Sequence, residues 1–483
     1  MTLDTSLNFF PESIRSIHLM GICGTGVGAL AGMLKSAGFL VTGSDSQIYP
    51  PMSDFLASQE IIVQSGYSSE NLSPRPDLVV VGNVIRRENP EAVALGELGI
   101  PYVSFPQALA HFFIGSKKSL VVAGTHGKTT TSSILASMLH RAGLAPSFMI
   151  GGLVQAFGRN YNVDGGDYFV AEGDEYDTAF FDKGPKFLHY RPRVVILTSV
   201  EFDHADIYKD LDGVKASFRK LVSIMPPDGF LVACIDDPVV RELVAGAPCE
   251  VVGYGVSEEA DWRLTDLQVQ PGGTIFTACK GGVVFETFCG VLPGRHNALN
   301  ALSVIAVLDI LGVDRRIMVE ALRHFEGVRR RQEIRGVARG VTVIDDFAHH
   351  PTAVRETLAA LAGAYPGRRL VAVFEPRTNS SRRNVFQDAY VDSFGDAHEV
   401  LVREPVPLEN IPEHERFSSS RLVSDLASRG VAARYFQATE EILSHLDATL
   451  GESDVVAIMS NGGFDNIHQR LLGVLAQGQE DGR

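Results

Sequence analysis

Short apolar runs recur along the chain, each closed by a glycine- or acid-bearing turn and most of them followed by a helical repeat. In the first quarter they are Ile17–Met20, Phe39–Gly43, Asp77–Asn83 and Pro101–Val103. Leu120–Val122, Asp167–Glu172 and Arg193–Ser199 follow, and Val341–Asp346, Leu370–Phe374 and Asp454–Met459 close the series. Runs of four to six apolar, β-branched residues bounded by turn residues predict buried strands. Between them Val27–Ala37, Ser132–Leu139, Ala301–Leu311 and 352–362 carry the helical period. Strand and helix alternation of this kind predicts open parallel sheets covered by helices. Only 261–290 breaks the pattern: Trp262–Leu264, Thr274–Thr277 and Val283–Phe288 alternate and are split by glycines, as antiparallel hairpins appended to a sheet are. Residues 1–15 read as a loose lead-in.

With 483 residues the chain exceeds one core, and roughly three domains are expected. The pattern divides it at 1–116, 117–330 and 331–483. The fold class is α/β: a Rossmann-like N-terminal domain, a central P-loop-type ATPase domain with a parallel sheet plus small hairpins, and a C-terminal Rossmann-like domain. Five cysteines without metal-ligand spacing suit a reducing cytoplasm. A net charge of −15 argues against a nucleic-acid surface. No apolar run is long enough to span a membrane, and no basic stretch precedes an apolar segment at Met1-Thr2-Leu3-Asp4. Anionic ligands must then be captured locally, by loops and single basic residues.

The sharpest such place is Gly124-Thr125-His126-Gly127-Lys128-Thr129-Thr130-Thr131, set between a strand and a helix. Glycines admit backbone N–H groups to phosphates, and the helix N-terminus adds positive potential. The lysine reaches the outer phosphates and a threonine hydroxyl can bind Mg²⁺. The general P-loop has a glycine five residues before Gly127, where this chain has Val122, so the loop is a short variant. ATP is the expected nucleotide; an ordinary glycine turn is the plain alternative. Two further strand ends present Glu172, Asp174, Glu175 and Asp177, then Glu201, Asp203, His204 and Asp206. Carboxylates and an imidazole beside the loop suit Mg²⁺ on phosphate oxygens. A solvated acidic loop and a structural histidine are the alternatives.

At the start of the long helix Asn297 and Asn300 share a face, where an amide can pair with adenine or, for Asn297, cap the helix. Arg329-Arg330-Arg331 is either a solvated linker or a hinge carrying an arginine to the γ-phosphate. Near the N-terminus, Gly21-Ile22-Cys23-Gly24-Thr25-Gly26 and Asp45 form strand, turn, helix, strand and acid, the layout of a dinucleotide unit with a changed glycine order. It predicts a diphosphate over a helix N-terminus, with Asp45 on a sugar hydroxyl or capping a turn. A nicotinamide-dependent oxidoreductase stays open on this turn, and so does a non-catalytic nucleotide binder. The third domain offers polar strand-end turns at 345–351, 375–382 and 460–464 but no Gly-Lys-Thr loop.

Jointly, the loop at 124–131, Asp203-His204, His296-Asn297-x-x-Asn300 and Asp345-Asp346-Phe347-Ala348-His349-His350-Pro351 resemble the Mur ligase family. These are the ATP-dependent amide-forming ligases of peptidoglycan assembly, and the resemblance covers nearly the whole chain. The first glycine turn is similar to the branch that takes UDP-N-acetylmuramate itself. One enzyme of that branch adds L-alanine; another re-attaches the recycled tripeptide L-Ala-γ-D-Glu-meso-diaminopimelate. The stretches 172–183, 375–379 and 459–464 resemble the second, so the tripeptide is favoured and L-alanine is the alternative. The resemblance implies that the lactyl carboxylate attacks the γ-phosphate of ATP, giving an acyl phosphate that the peptide amine then attacks.

It also implies roles. Lys128 and the amides of Gly124 to Thr131 hold phosphates; Thr129, Glu172 and His204 bind Mg²⁺; Arg331 meets the γ-phosphate. His296, Asn297 and Asn300 read adenine, and Asp346 the ribose. Gly24, Thr25, Gly26, Asp45 and Asn83 belong to the UDP-sugar site, and Asp174, Arg377 and Asn379 to the substrate side, with Arg377 on a peptide carboxylate. Ser199 stands where many members have asparagine. Lys215 and Lys220 lie near the position some relatives carbamylate, without an assignment. A cytoplasmic enzyme, monomeric or weakly dimeric, is expected, with small-molecule partners and neither nucleic acid nor membrane.

Overall fold

The structure, a computed structural model, describes residues 3–407 and 411–477. Its strands form three main sheets, each built around runs that are apolar on both faces. In the first, Ile62–Ser65, Leu40–Asp45, Ser16–Met20, Leu78–Val81 and Tyr102–Ser104 lie side by side in that order, all parallel. The order reverses beside Ser16–Met20, and ligands bind at such switch points. Helix Thr25–Ser36 starts there, capped by Gly24 with no side-chain bond to its first-turn N–H groups.

The second sheet has ten strands. Lys118–Ala123 sits between Tyr168–Gly173 and Pro192–Leu197, both parallel to it. Phe230–Cys234 and Glu250–Gly255 continue the parallel set. Trp262–Gln270 joins parallel, and Gly273–Lys280 and Val283–Gly290 follow antiparallel. The alternating segments therefore extend the sheet as hairpins. Helices Lys128–Arg141 and Arg295–Ile310 bury apolar residues in the same core against it. In the third sheet the order is Glu333–Ala338, Val341–Asp346, Val455–Met459, Leu370–Phe374, Glu399–Arg403 and Ala432–Phe436. Only its first strand is antiparallel to its neighbour.

Two segments differ from the reading of the sequence. The described part of the lead-in is docked, because its aromatic and amide side chains find partners beside the edge strand. Phe10 stacks on His111 with centroids 3.8 Å apart, and Asn8 donates to the Tyr102 carbonyl at 2.9 Å. Met1 and Thr2 lie outside the described residues. The acidic stretch after Tyr168–Gly173 folds into a small hairpin, Asp177–Ala179 with Asp182–Pro185. Its tip, Phe180-Phe181, packs on the first sheet's core, with Phe181 edge-on to Tyr102 at 4.9 Å.

Candidate active site

The strand ends of the second sheet and the loops of the third enclose a cavity of about 730 Å³. The loop 124–130 forms one wall. Its shape requires glycine twice: Gly124 has φ +128° and Gly127 φ +78°. A Cβ on Gly127 would stand 2.7 Å from the Asn300 amide oxygen, and one on Gly124 would stand 2.2 Å from Thr198 Oγ1. Backbone in this region favours glycine, and here neighbouring side chains fill the space a Cβ needs. Ser199 shapes the same turn. Its carbonyl accepts from the Thr125 N–H at 2.8 Å and its hydroxyl from the His126 N–H at 3.1 Å.

Lys128 Nζ donates to the Gly124 carbonyl at 2.6 Å and pairs with Glu175 at 3.0 Å. The other oxygen of Glu175 meets His204 Nε2 at 3.1 Å. Burial opposes the charge on Lys128, but Glu175, Asp174 and Glu172 outweigh it and its pKa is raised. Glu175 is likewise penalised by burial yet held below its ordinary value by Lys128 and His204. For His204, Glu175 and Asp203 outweigh desolvation and favour the protonated ring. Asp174 pairs with Lys186 at 2.7 Å; against burial, Lys186 and Lys128 bring its carboxyl down to about 2. Glu175 stands in the sequence as one of four acids, because composition cannot say which of them turns inward.

Glu172 accepts from Ser132 Oγ at 3.3 Å and Thr129 Oγ1 from Arg331 at 3.1 Å. Carboxylate and hydroxyl are the hard oxygen donors that Mg²⁺ takes, and both line the cavity. His204 differs from them, since Glu175 occupies its Nε2 and only Nδ1 is left for another partner. Arg331 lies half-buried across the seam between the second and third sheets, over the Phe347 ring at 4.5 Å. Its flanking residues Arg330 and Gln332 both adopt positive φ, and Arg330 donates to the Ser460 and Gly462 carbonyls at 2.6 Å. The basic run is therefore a folded junction with partners on both sides.

Asp346, expected on the ribose, lines the same cavity. Its carboxylate accepts from the Gln332 and Ala348 backbone N–H groups at 2.8 and 2.7 Å and from Thr357 at 3.3 Å. It is a buried strut of the seam, and burial raises its pKa. Asn297 donates to the Pro293 carbonyl at 2.8 Å and to Gln332 at 3.0 Å, while Asn300 faces Gly127. His296 lines the cavity with its pKa lowered to about 4 by burial. From the third sheet, His349, His350 and Asn379 line the same space, and Asn379 donates to Asp206 at 3.0 Å.

Arg377 is half exposed and lies against Gly462, outside that lining. Gly24, Thr25, Gly26, Asp45 and Asn83 are also outside it, at the end of the first sheet. There Asp45 accepts from the Cys23 N–H at 2.9 Å and the Gln47 N–H at 3.1 Å, so its carboxylate braces the glycine turn. Asn83 is exposed just past strand Leu78–Val81. Among the described residues no helix is long and apolar enough to cross a membrane.

The chain belongs to the Mur ligase family. It matches the description "Mur ligase family, catalytic domain" over 16–116, "Mur ligase middle domain" over 122–308 and "Mur ligase, glutamate ligase domain" over 329–462. Among its relatives is the UDP-N-acetylmuramate–L-alanyl-γ-D-glutamyl-meso-2,6-diaminoheptandioate ligase of Escherichia coli (strain K12). The two are 40% identical over 468 residues, 96% of this chain and 99% of that one. A crystal structure of a murein peptide ligase from Psychrobacter arcticus superposes with a TM-score of 0.71 at 34% identity, covering 96% of this chain and 99% of that one. The UDP-N-acetylmuramate–alanine ligase of Thermotoga maritima gives 0.78 at 26% identity over 97% and 100%. Identity and superposition thus rank the two specificities differently. Identity bears on side chains, whereas the score of a three-sheet chain also depends on how the units sit together.

Proposed function

We propose that this protein is an ATP-dependent, ADP-forming ligase that joins UDP-N-acetylmuramate to the tripeptide L-Ala-γ-D-Glu-meso-diaminopimelate. The observation that carries the reading is one shared cavity, in which the loop of Lys128, the carboxylate of Glu172 and the third-sheet residues His349, His350 and Asn379 face one another. Such a space brings a nucleotide and an acceptor amine to one carboxylate, and positioning plus charge stabilisation is most of what phosphoryl and acyl transfer require. The tripeptide follows from the E. coli relative; the Thermotoga structure keeps L-alanine as the second reading. Family membership leaves the nicotinamide reading of the first glycine turn without support.

In this reading residues 1–116 bind the UDP-sugar at the switch point, with Gly24, Thr25 and Gly26 over its diphosphate and Asp45 holding the turn. Residues 117–330 carry ATP and 331–483 the peptide. Lys128 and the loop amides hold the outer phosphates, and Thr129 and Glu172 hold Mg²⁺, which neutralises phosphate charge when bound. Glu175 aims the Lys128 ammonium and fixes the His204 ring. Arg331 brings positive charge to the γ-phosphate from the seam. Asn300 orders the loop beside the adenine side, where His296 and Asn297 sit. The lactyl carboxylate attacks the γ-phosphorus, and the peptide amine then displaces phosphate from the acyl phosphate. Arg377 and Asn379 face the incoming peptide.

Phosphate release with UDP-N-acetylmuramate and ATP, compared between L-alanine and the tripeptide, tests this. The tripeptide is expected to be the better acceptor. L-Alanine as the better one would transfer the assignment to the second reading, and no ATP-dependent release with either would remove both.

A further inference from the structure

A second group of polar side chains stands at the rim of the cavity. His126 comes from the nucleotide loop, Glu201 from the segment after strand Pro192–Leu197, and His350 caps helix Pro351–Ala364 of the third sheet. One nitrogen of each imidazole and one carboxylate oxygen all lie within 4.8 Å of one another. Glu201 Oε2 is 3.1 Å from His126 Nε2 and 3.5 Å from His350 Nδ1, and the two rings are 4.5 Å apart. Two of the three ligands are held from behind. His350 Nε2 lies 3.2 Å from the Phe202 carbonyl, and donation there turns the Nδ1 lone pair toward the group. That nitrogen also accepts the helix-capping Thr352 N–H at 3.3 Å, a long bond that a cation would replace, and Thr352 Oγ1 donates to Glu201 at 2.7 Å. Carbonyl-tethered imidazoles and hydrogen-bonded carboxylates are how proteins orient metal ligands.

We propose that His126, Glu201 and His350 bind a borderline divalent cation of the zinc type and thereby clasp the third unit to the middle one. Two imidazoles and one carboxylate with a partly exposed side make a three-ligand set with a position left for water. Mg²⁺ instead takes oxygen donors, as the Thr129 hydroxyl and the Glu172 carboxylate are, whereas two of the three donors here are nitrogen. The two sites therefore sort cations by chemistry. Because the ligands come from both sides of the seam, a bound cation is a crosslink.

Zinc uptake by the metal-free full-length protein, measured against a chromophoric chelator in excess Mg²⁺, tests this. One equivalent is expected to bind. Glu201→Gln and His350→Gln should each weaken it about tenfold or more. His204→Gln, at the other site, should leave it unchanged. Far-UV circular dichroism without metal shows whether each variant is folded. Cobalt in the wild type should give the visible bands of a four-coordinate site, and zinc should slow amide exchange over 351–364. Equal zinc affinity in the wild type and both variants, or loss on His204→Gln alone, would overturn the proposal.

Discussion

Glu175 joins two groups that the chain presents far apart, the Lys128 ammonium and the His204 imidazole. A buried carboxylate between two cations is held by both, and its removal leaves each without its counter-charge. Lys128→Ala is expected to raise the barrier to ATP-dependent phosphate release by about 3–5 kcal/mol, the range for losing a charge-stabilising group. Glu175→Gln keeps the shape and removes the charge; a loss of about 1.5–3 kcal/mol in kcat/KM is expected from the broken charged hydrogen bonds. Both are read in the same phosphate assay, with thermal unfolding as the folding control. Turnover of Lys128→Ala near that of the wild type would end the role assigned to it. The lysine was legible in the sequence because its neighbours form a local motif. Glu175 was visible only as one acid among several, since its partners come from other strands. The bond that Asp346 accepts from the Gln332 N–H was hidden for the same reason, since residue 332 becomes its neighbour only when the seam folds.

Elements show a similar division. Strands buried on both faces could be read directly, because a run such as Leu120–Val122 has few other fates, and the helix over 128–141 follows from its place after the glycine turn. The docked lead-in and the hairpin at 177–185 could not, since aromatic side chains at 10, 180 and 181 carry no sign of which surface will receive them. At this scale Gly127→Ala is the informative change. A positive φ costs an L-residue roughly 1–2 kcal/mol, and here the added carbon also meets Asn300. We expect a small loss in melting temperature and a large loss of ATP affinity by calorimetry; unchanged affinity would mean that the loop does not hold the nucleotide.

The first sheet has its own buried pair. His18 Nε2 lies 2.8 Å from Glu91, which also accepts from Ser44 and Asn71 at 2.7 Å. Despite burial these bonds hold the Glu91 carboxyl below its ordinary 4.5. A carboxyl lowered in the folded state lends stability that is complete above its unfolded pKa and fades as pH falls below it. Protection of amides in Ser16–Met20 should therefore decline below about pH 4.5, and Glu91→Gln should flatten that decline. The single Trp262 lies in the second sheet, so its fluorescence would not report the change.

For the whole molecule, the seam decides what the parts can do together. Arg331 reaches Thr129 from one side while Arg330 holds the 460–462 turn on the other. Arg331→Ala is expected to lower kcat and raise the KM for ATP together, and to enlarge the radius of gyration measured by X-ray scattering with nucleotide bound. A variant whose scattering and KM both match the wild type would mean that the arginine does not couple the units. That the third unit would face the nucleotide loop of the second followed from motifs on several strand ends. Which loops meet did not, because contacts such as Asn379 with Asp206 join residues 173 positions apart in the chain.

Phe180 and Phe181 belong to the middle of the sequence yet are seated on the first sheet. The acids just before them reach into the nucleotide cavity, so one short excursion has its root in one compartment and its tip in another. Modular exchange must respect that. A chimera receiving a foreign segment at 16–116 alone would leave two aromatic rings without their socket and would loosen Asp174 and Glu175 along with them. Carrying 174–186 across with the donor segment keeps plug and socket matched, and such a transplant should express as a folded enzyme where the simpler one aggregates.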